Sequence, residues 1–222
     1  MSTLTSVPSF DMPALTLDLL DNAPELFSAF REYAEVVQRS AEASMTPRLH
    51  AMVRLAVALA IPNEDLASRC LKLARQHASA ADIAGAVNAA SHLRSGAAIA
   101  YGRLVFKLME PAQASSAEGT GRAQMALDRE YMTKLRKASP APFDAMAKLS
   151  MARQKSPVIS ALDHELISVA IGTVTQCVYC LEVHGNKAKE VGATDQQIAD
   201  AVHIAIAARY EATLHEWAAV AD

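Results

Sequence analysis

The sequence lacks most features that mark secreted, membrane-spanning or nucleic-acid-binding proteins. Its formal net charge is -3 and its pI is near 6.2. No basic run that could follow phosphates is present, so we expect no nucleic-acid partner. No apolar run approaches the roughly 18 residues that a membrane span needs, which predicts no membrane association. The first residues lack the basic and apolar regions of a signal peptide, and we therefore expect a cytoplasmic protein.

Cysteine, glycine and aromatic residues are also scarce. The 3 cysteines are an odd number and too few for the disulfide framework of a small secreted domain. The chain has only 8 glycines and an aromatic content of 5%, and the alternation of β-branched and aromatic residues typical of strands is missing. Alanine, the strongest helix former, is its commonest residue. The sequence therefore predicts an all-α fold.

Hydrophobic residues recur every three or four positions in several segments, as they do on the buried face of a helix. In the first segment Phe27, Phe30 and Tyr33 lie on one such face. A turn is predicted at the two prolines of residues 140–142. The predicted helices cover residues 24–39, 47–60, 64–76, 81–106, 122–137 and 143–152, and three further helices end near residue 217.

Proline, serine and glycine interrupt the hydrophobic pattern in the middle of the chain. We therefore predict an N-terminal helical half over residues 1–110, a linker over 111–122 and a C-terminal helical half over 123–222. The linker glycines do not match a nucleotide-binding loop, so no nucleotide and no other cofactor is predicted.

The two halves resemble each other, which predicts a pair of degenerate repeats. The similar stretches are residues 52–58 with 165–171 and residues 82–90 with 197–205. The first half has Glu64, Ala67 and Leu71 where the second has Cys177, Cys180 and His184. Only the second half keeps reactive side chains, and the first is predicted to be structural. We expect Cys70 to be a buried, inert thiol because no cysteine lies beside it.

The pattern Glu165-x11-Cys177-x-x-Cys180-x3-His184 carries the predicted chemistry. If a helix begins at or just after Cys177, both cysteines and His184 lie within roughly 60° of one another on its surface. A helix N-terminus lowers the pKa of a thiol, and a neighbouring imidazole can accept the proton. The two cysteines are spaced to close a disulfide, and Glu165 on the preceding helix could orient the imidazole.

Two patterns in the sequence partly resemble metal sites. A zinc site would need a fourth ligand, because only the two cysteines and His184 lie close together. His164 and Glu165 begin like a metalloprotease helix, but Ser168 stands where the second histidine is required. The sequence therefore predicts no metal site.

At these residues the sequence resembles the AhpD-like branch of the carboxymuconolactone decarboxylase family, whose all-helical subunits carry the same Glu, Cys, Cys and His spacing. The likeness spans roughly residues 157–215. It implies that Cys180 attacks a peroxide and becomes a sulfenic acid, and that Cys177 resolves it as a disulfide. It also implies a proton relay through His184 and Glu165, a lipoylated protein as reductant, and a homo-oligomer of three or six subunits.

These observations predict a thiol-dependent alkyl hydroperoxidase or a related disulfide oxidoreductase. Its expected partners are a small peroxide substrate and a thiol or lipoylated protein reductant. One alternative is a redox sensor or structural oligomer whose disulfide switches assembly without turnover. Another is a decarboxylase-type or metal-binding member of the same family, although the decarboxylase branch lacks the cysteine pair.

Overall fold

The computed structural model describes residues 22–102, 121–155 and 158–220. These residues form helices joined by short turns and contain no strand, so the predicted all-α class is confirmed. None of the described helices is long and apolar enough to cross a membrane. The helices are α1 (Pro24–Ser44), α2 (Pro47–Ala60), α3 (Glu64–His77), α4 (Ala80–Gly102), α5 (Gly121–Ala138), α6 (Pro140–Lys155), α7 (Ala161–Val174), α8 (Val178–Glu190) and α9 (Asp195–Val220).

The observed helix bounds follow the sequence prediction closely at α2 and differ from it at α1 and α6. Helix α2 has its predicted bounds, and α1 runs on to Ser44. Helix α6 begins at Pro140, so the turn predicted at residues 140–142 is instead the first turn of this helix. Proline is tolerated there because its missing N–H would have no acceptor within the helix. Residues 103–106 of the predicted fourth helix lie outside the described residues.

Helices α2 to α4 and helices α7 to α9 start in matching ways. The side-chain caps are Thr46 for α2 and Ser160 for α7, Ser79 with Asp82 for α4, and Thr194 with Gln197 for α9. Such caps satisfy the free N–H groups of a helix start. Helices α2 and α7 also have the same length of 14 residues. This correspondence supports the two repeats, which stay a prediction.

The described residues fall into two compact units. The first contains residues 22–94 and 158–220, and the second contains residues 95–102 and 121–155. In the second unit α5 packs against α6, and Arg136 pairs with Asp144 at 2.8 Å. The predicted halves, 1–110 and 123–222, stay a prediction. Most of the predicted linker, 111–122, lies outside the described residues.

Helices α2 and α7 lie at the centre of the first unit. Helix α7 packs against α2, α8 and α9, and α2 packs against α3. Buried alanines such as Ala56 and Ala170 have small side chains, so neighbouring helices can approach closely. At the helix starts the Arg48 guanidinium donates to Asp82 at 2.7 Å and to the buried Asp163 at 2.6 Å. These bonds fix the first turn of α7, the helix that carries Glu165.

Candidate active site

The turn between α7 and α8, residues 175–177, brings the two helices close together. Gln176 has φ of 54°, in the left-handed region that residues with a side chain rarely adopt. The Cys177 N–H donates to the Gly172 carbonyl at 3.0 Å. A Cβ added at Gly172 would lie 3.3 Å from Cδ2 of Leu181 and 3.4 Å from the Cβ of Cys180. The start of α8 therefore packs closely against the end of α7.

Cys177 is the N-cap of α8. Its backbone is extended, with φ of -93° and ψ of 92°, and its Sγ accepts the N–H of Cys180 at 3.2 Å. Helix α8 begins directly after Cys177, which meets the condition for placing both cysteines and His184 on one face. A sulfur in this position faces the positive end of the helix dipole, which favours a thiolate after reduction.

A disulfide joins Cys177 to Cys180, whose Cα atoms are 5.2 Å apart. This separation lies within the ordinary range for a disulfide. The two residues are only 2% and 5% exposed, whereas Val178 between them is 78% exposed. Both cysteines are therefore buried, next to an exposed position of the first turn of α8.

His184 and Glu165 form a close pair between α8 and α7. Nδ1 of His184 lies 2.6 Å from Oε2 of Glu165, and the two side chains are 14% and 11% exposed. Burial alone would raise the pKa of Glu165. The hydrogen bond to His184 and the charges of His184, His164 and Lys187 outweigh burial and hold this pKa below its ordinary value. A charged carboxylate facing Nδ1 favours the tautomer protonated there, which leaves Nε2 to exchange a proton.

His164 adds a third polar side chain that sequence reasoning had set aside. Its ring meets the ring of His184 edge to face, with centroids 6.2 Å apart. His164, Glu165 and His184 can each offer one metal-ligand atom, and these atoms lie within 4.8 Å of one another. The metalloprotease-like start of α7 was the available signal. The second imidazole comes from α8, whereas the sequence motif requires it at the position of Ser168.

The structure places the four predicted site residues in two contacting pairs. Cys177 is bonded to Cys180, and Glu165 contacts His184. All four belong to α7, α8 and the turn between them, in the first unit. The catalytic roles of these residues stay predictions.

Helix α3, like α8, begins at a side-chain cap, but the α2–α3 region has no reactive pair of cysteines. The Asn63 side-chain oxygen accepts the N–H of Leu66 at 2.9 Å, and Asn63 thereby caps α3. Counting from the caps places Asn63, Leu66 and Cys70 opposite Cys177, Cys180 and His184, one position earlier than the sequence comparison predicts. Cys70 is buried, as expected, and burial is the main cause that raises its thiol pKa to about 11. At neutral pH this thiol stays protonated and unreactive.

Several known proteins are similar to this chain, and the family match covers the candidate site. Residues 140–222 match the Carboxymuconolactone decarboxylase family. The chain is 30% identical over 122 residues to Alkyl hydroperoxide reductase AhpD of Hyphomonas neptunium, covering 54% of this chain and 64% of that protein. It is 37% identical over 62 residues to Uncharacterized protein 4 in cox locus of Paracoccus denitrificans, covering 28% and 56%. The chain thus spans less than two thirds of the length of either relative.

A solved structure shares the fold. It is assigned to a gamma-carboxymuconolactone decarboxylase subunit from Burkholderia xenovorans and has a TM-score of 0.62 to this chain. The comparison covers 93% of this chain and 90% of that one at 18% identity, which shows the fold alone. The family match and the similarity to AhpD confirm the resemblance predicted from the sequence, and the solved structure adds the shared fold.

Proposed function

We propose that this chain, which carries the carboxymuconolactone decarboxylase family match over residues 140–222, reduces peroxides with the dithiol of Cys177 and Cys180. The observation that carries the proposal is the close, mostly buried pair of His184, one helical turn after Cys180 on α8, and Glu165 on α7. The similarity to an alkyl hydroperoxide reductase supports the same reaction class.

In the proposed first step Cys180 is oxidised and the peroxide is reduced. His184, oriented by Glu165, accepts the proton of the Cys180 thiol. The thiolate attacks one oxygen of the peroxide, the O–O bond breaks, and the leaving alkoxide takes a proton from His184 and departs as an alcohol. Cys180 is left as a sulfenic acid. Its attack on the peroxide is assigned by the family resemblance.

The next steps form and then reduce the disulfide. The Cys177 thiolate attacks the sulfenic sulfur, the S–S bond forms, and hydroxide leaves and is protonated to water. A dithiol reductant then exchanges with this disulfide, becomes a disulfide itself and returns both cysteines to thiols. Because both cysteines are buried, a slender lipoyl arm on a protein should reach the disulfide more readily than a flat protein surface.

A homo-oligomer of three or six subunits is part of the same proposal. Ile206, Trp217 and Val220 are exposed on α9, where spacings of 11 and 14 residues place them on one face. This apolar face suits a second copy of the chain. Light scattering from the purified chain checks it, and a mass of one subunit at micromolar concentration contradicts it.

The peroxidase proposal is tested by turnover of an organic hydroperoxide with dihydrolipoamide as the dithiol donor. We expect Cys180→Ser to fall to the uncatalysed rate, because serine cannot be oxidised to a sulfenic acid. Glu165→Gln should lower turnover about 100-fold, since the oriented proton relay is lost. The matched control Cys70→Ser should keep wild-type turnover.

Equal turnover in the wild type and in Cys180→Ser would exclude the peroxidase. Reversible formation of the Cys177–Cys180 disulfide without sustained turnover would instead favour the redox sensor.

A further inference from the structure

The start of α7 and the middle of α8 together provide a ligand set that the peroxidase cycle does not use in full. His164 and Glu165 are consecutive residues of α7, and His184 projects from α8. Their candidate ligand atoms lie within 4.8 Å of one another. His164 has no step in the proposed cycle, although its ring meets that of His184.

Several bonds fix the backbone that presents these side chains. Ser160 caps α7 by accepting the N–H of Asp163 at 3.1 Å, and Asp163 pairs with Arg48 at 2.6 Å. The Ser168 hydroxyl donates to the His164 carbonyl at 2.7 Å. The first two turns of α7 are therefore held in place without any ion. Such preorganisation of ligands and their supports favours metal binding.

We propose that His164, Glu165 and His184 bind a divalent transition-metal ion of the zinc class. Two imidazoles and one carboxylate suit zinc and its neighbours, whereas magnesium and calcium prefer oxygen ligands. Three protein ligands leave a coordination position for water. The ion replaces the proton of the hydrogen bond between Nδ1 of His184 and Oε2 of Glu165, which lie 2.6 Å apart.

Charge around the site sets the affinity. The Glu165 carboxylate supplies one negative charge, while the positive charge of Lys187 acts on the same carboxylate. Lys187 therefore opposes a cation here, and its removal should tighten binding. The bound ion occupies groups of the proton relay, so it should inhibit peroxide turnover. The binding itself is independent of the peroxidase proposal and is measured without peroxide.

The test is zinc titration by calorimetry of the full chain, stripped of metal and with the Cys177–Cys180 disulfide intact. An intact disulfide removes both thiolates as ligands. We expect one zinc ion per chain and at least a 10-fold weaker affinity in His164→Asn. The control His203→Asn removes an exposed imidazole on α9, outside the proposed site, and should bind zinc like the wild type. Lys187→Met should bind more tightly.

Zinc that binds equally to wild type and His164→Asn overturns the proposal, and so does zinc that binds only after the disulfide is reduced. Circular dichroism and thermal melting show whether His164→Asn is folded. If it is not, a Lys187→Met affinity no tighter than wild type overturns the proposal instead.

Discussion

The α2–α3 pair and the α7–α8 pair have similar scaffolds but different chemistry. Each first helix has 14 residues and begins at a hydroxyl cap, and each second helix begins at a side-chain cap after a three-residue turn. Counting from the caps, Ala51 and Cys70 stand at the positions of Glu165 and His184. The scaffold therefore does not depend on the reactive side chains, which occupy positions that the other pair fills with inert ones.

The turns of the two pairs differ in backbone strain. In the α2–α3 turn Ile61 is extended, with φ of -96° and ψ of 130°, as expected for a residue before proline. In the α7–α8 turn Thr175 is helical and Gln176 takes φ of 54°. The unfavourable conformation thus lies directly before Cys177, next to the proposed chemistry.

Both helix pairs contain buried charged groups, but the buried charge of α2 belongs to an ion pair with α9. Arg54 on α2 lies 3.6 Å from Glu211 on α9, with the two side chains 6% and 2% exposed. His215 lies 3.7 Å from the same carboxylate. When the two helix pairs are aligned by counting from their caps, Ser168 takes the position of Arg54. Ser168 is fully buried and neutral. The α2–α3 region therefore uses its buried polar groups for structure, and four predictions test this contrast.

The largest expected effect is from Arg54→Met, which leaves the buried Glu211 carboxylate without its cationic partner. We expect the free energy of unfolding to fall by about 3–5 kcal/mol, measured by urea denaturation. Replacing both partners, with Arg54→Met and Glu211→Leu, should recover most of this loss. Ser168→Ala should cost less than about 1 kcal/mol. A similar loss in Arg54→Met and Ser168→Ala contradicts the contrast.

The next effect compares the two caps in reduced protein. Asn63→Ala should lower the free energy of unfolding by about 1–2 kcal/mol, because the N–H of Leu66 loses its acceptor. The Asn63 bond to the Ala212 carbonyl is lost as well. Cys177→Ser keeps a good cap and should change stability by less than about 0.5 kcal/mol. Unfolding by urea with a thiol reductant measures both, and a larger loss in Cys177→Ser contradicts the prediction.

A third effect depends on pH, because α4 has an ionisable cap partner and α9 has a neutral one. The Ser79 hydroxyl, assisted by the Ser79 N–H and Arg48 and opposed by burial, holds the pKa of Asp82 below its ordinary value. The lowered pKa means that the carboxylate stabilises the fold above about pH 4 and stops doing so as pH falls through the folded-state pKa. Asp82→Asn should cost about 1 kcal/mol at pH 7.

Urea unfolding at several pH values measures this dependence. The difference between the wild type and Asp82→Asn should shrink towards zero below pH 4, in the direction given by the lowered pKa. Gln197→Ala should show a loss that does not change with pH, because the Gln197 amide does not titrate. A constant loss for Asp82→Asn would show that its charge is not involved.

The smallest effect concerns the turns. Gln176→Gly should raise the free energy of unfolding by about 0.5 kcal/mol, because glycine adopts positive φ without a steric penalty but gains entropy in the unfolded chain. Pro62→Gly should lower it by about 1 kcal/mol, since the unfolded chain becomes less restricted. Thermal melting compares the two, and destabilisation by Gln176→Gly would exclude strain at this turn.

The sequence predicts the helices well because their ends are marked locally. Pro47 follows a threonine cap, and the apolar pattern of α2 runs to its end at Ala60. The phase of Cys177, Cys180 and His184 could be predicted from helical geometry alone. Counting from the helix caps gives the first repeat a register that differs by one residue from the sequence comparison, because Asn63 and Cys177 both cap a helix. The repeats stay a prediction.

Other features depend on contacts between residues far apart in the chain. Arg54 on α2 and Glu211 on α9 lie far apart in the chain and meet only when the helices pack. The sequence around either residue therefore does not indicate a buried ion pair. The ring of His164 on α7 meets the ring of His184 on α8. No sequence motif predicts that these two imidazoles lie together. Composition and periodicity predict elements, whereas these pairs require the packing of α2, α7, α8 and α9.

The central claim is that chemistry belongs to the α7–α8 pair and that the α2–α3 pair is structural. Its most direct test is peptide mapping by mass spectrometry after one equivalent of organic hydroperoxide is added to the fully reduced chain. The account predicts that the Cys177–Cys180 disulfide forms while Cys70 remains a free thiol. Oxidation of Cys70 before the pair, or a pair that stays reduced, would contradict it.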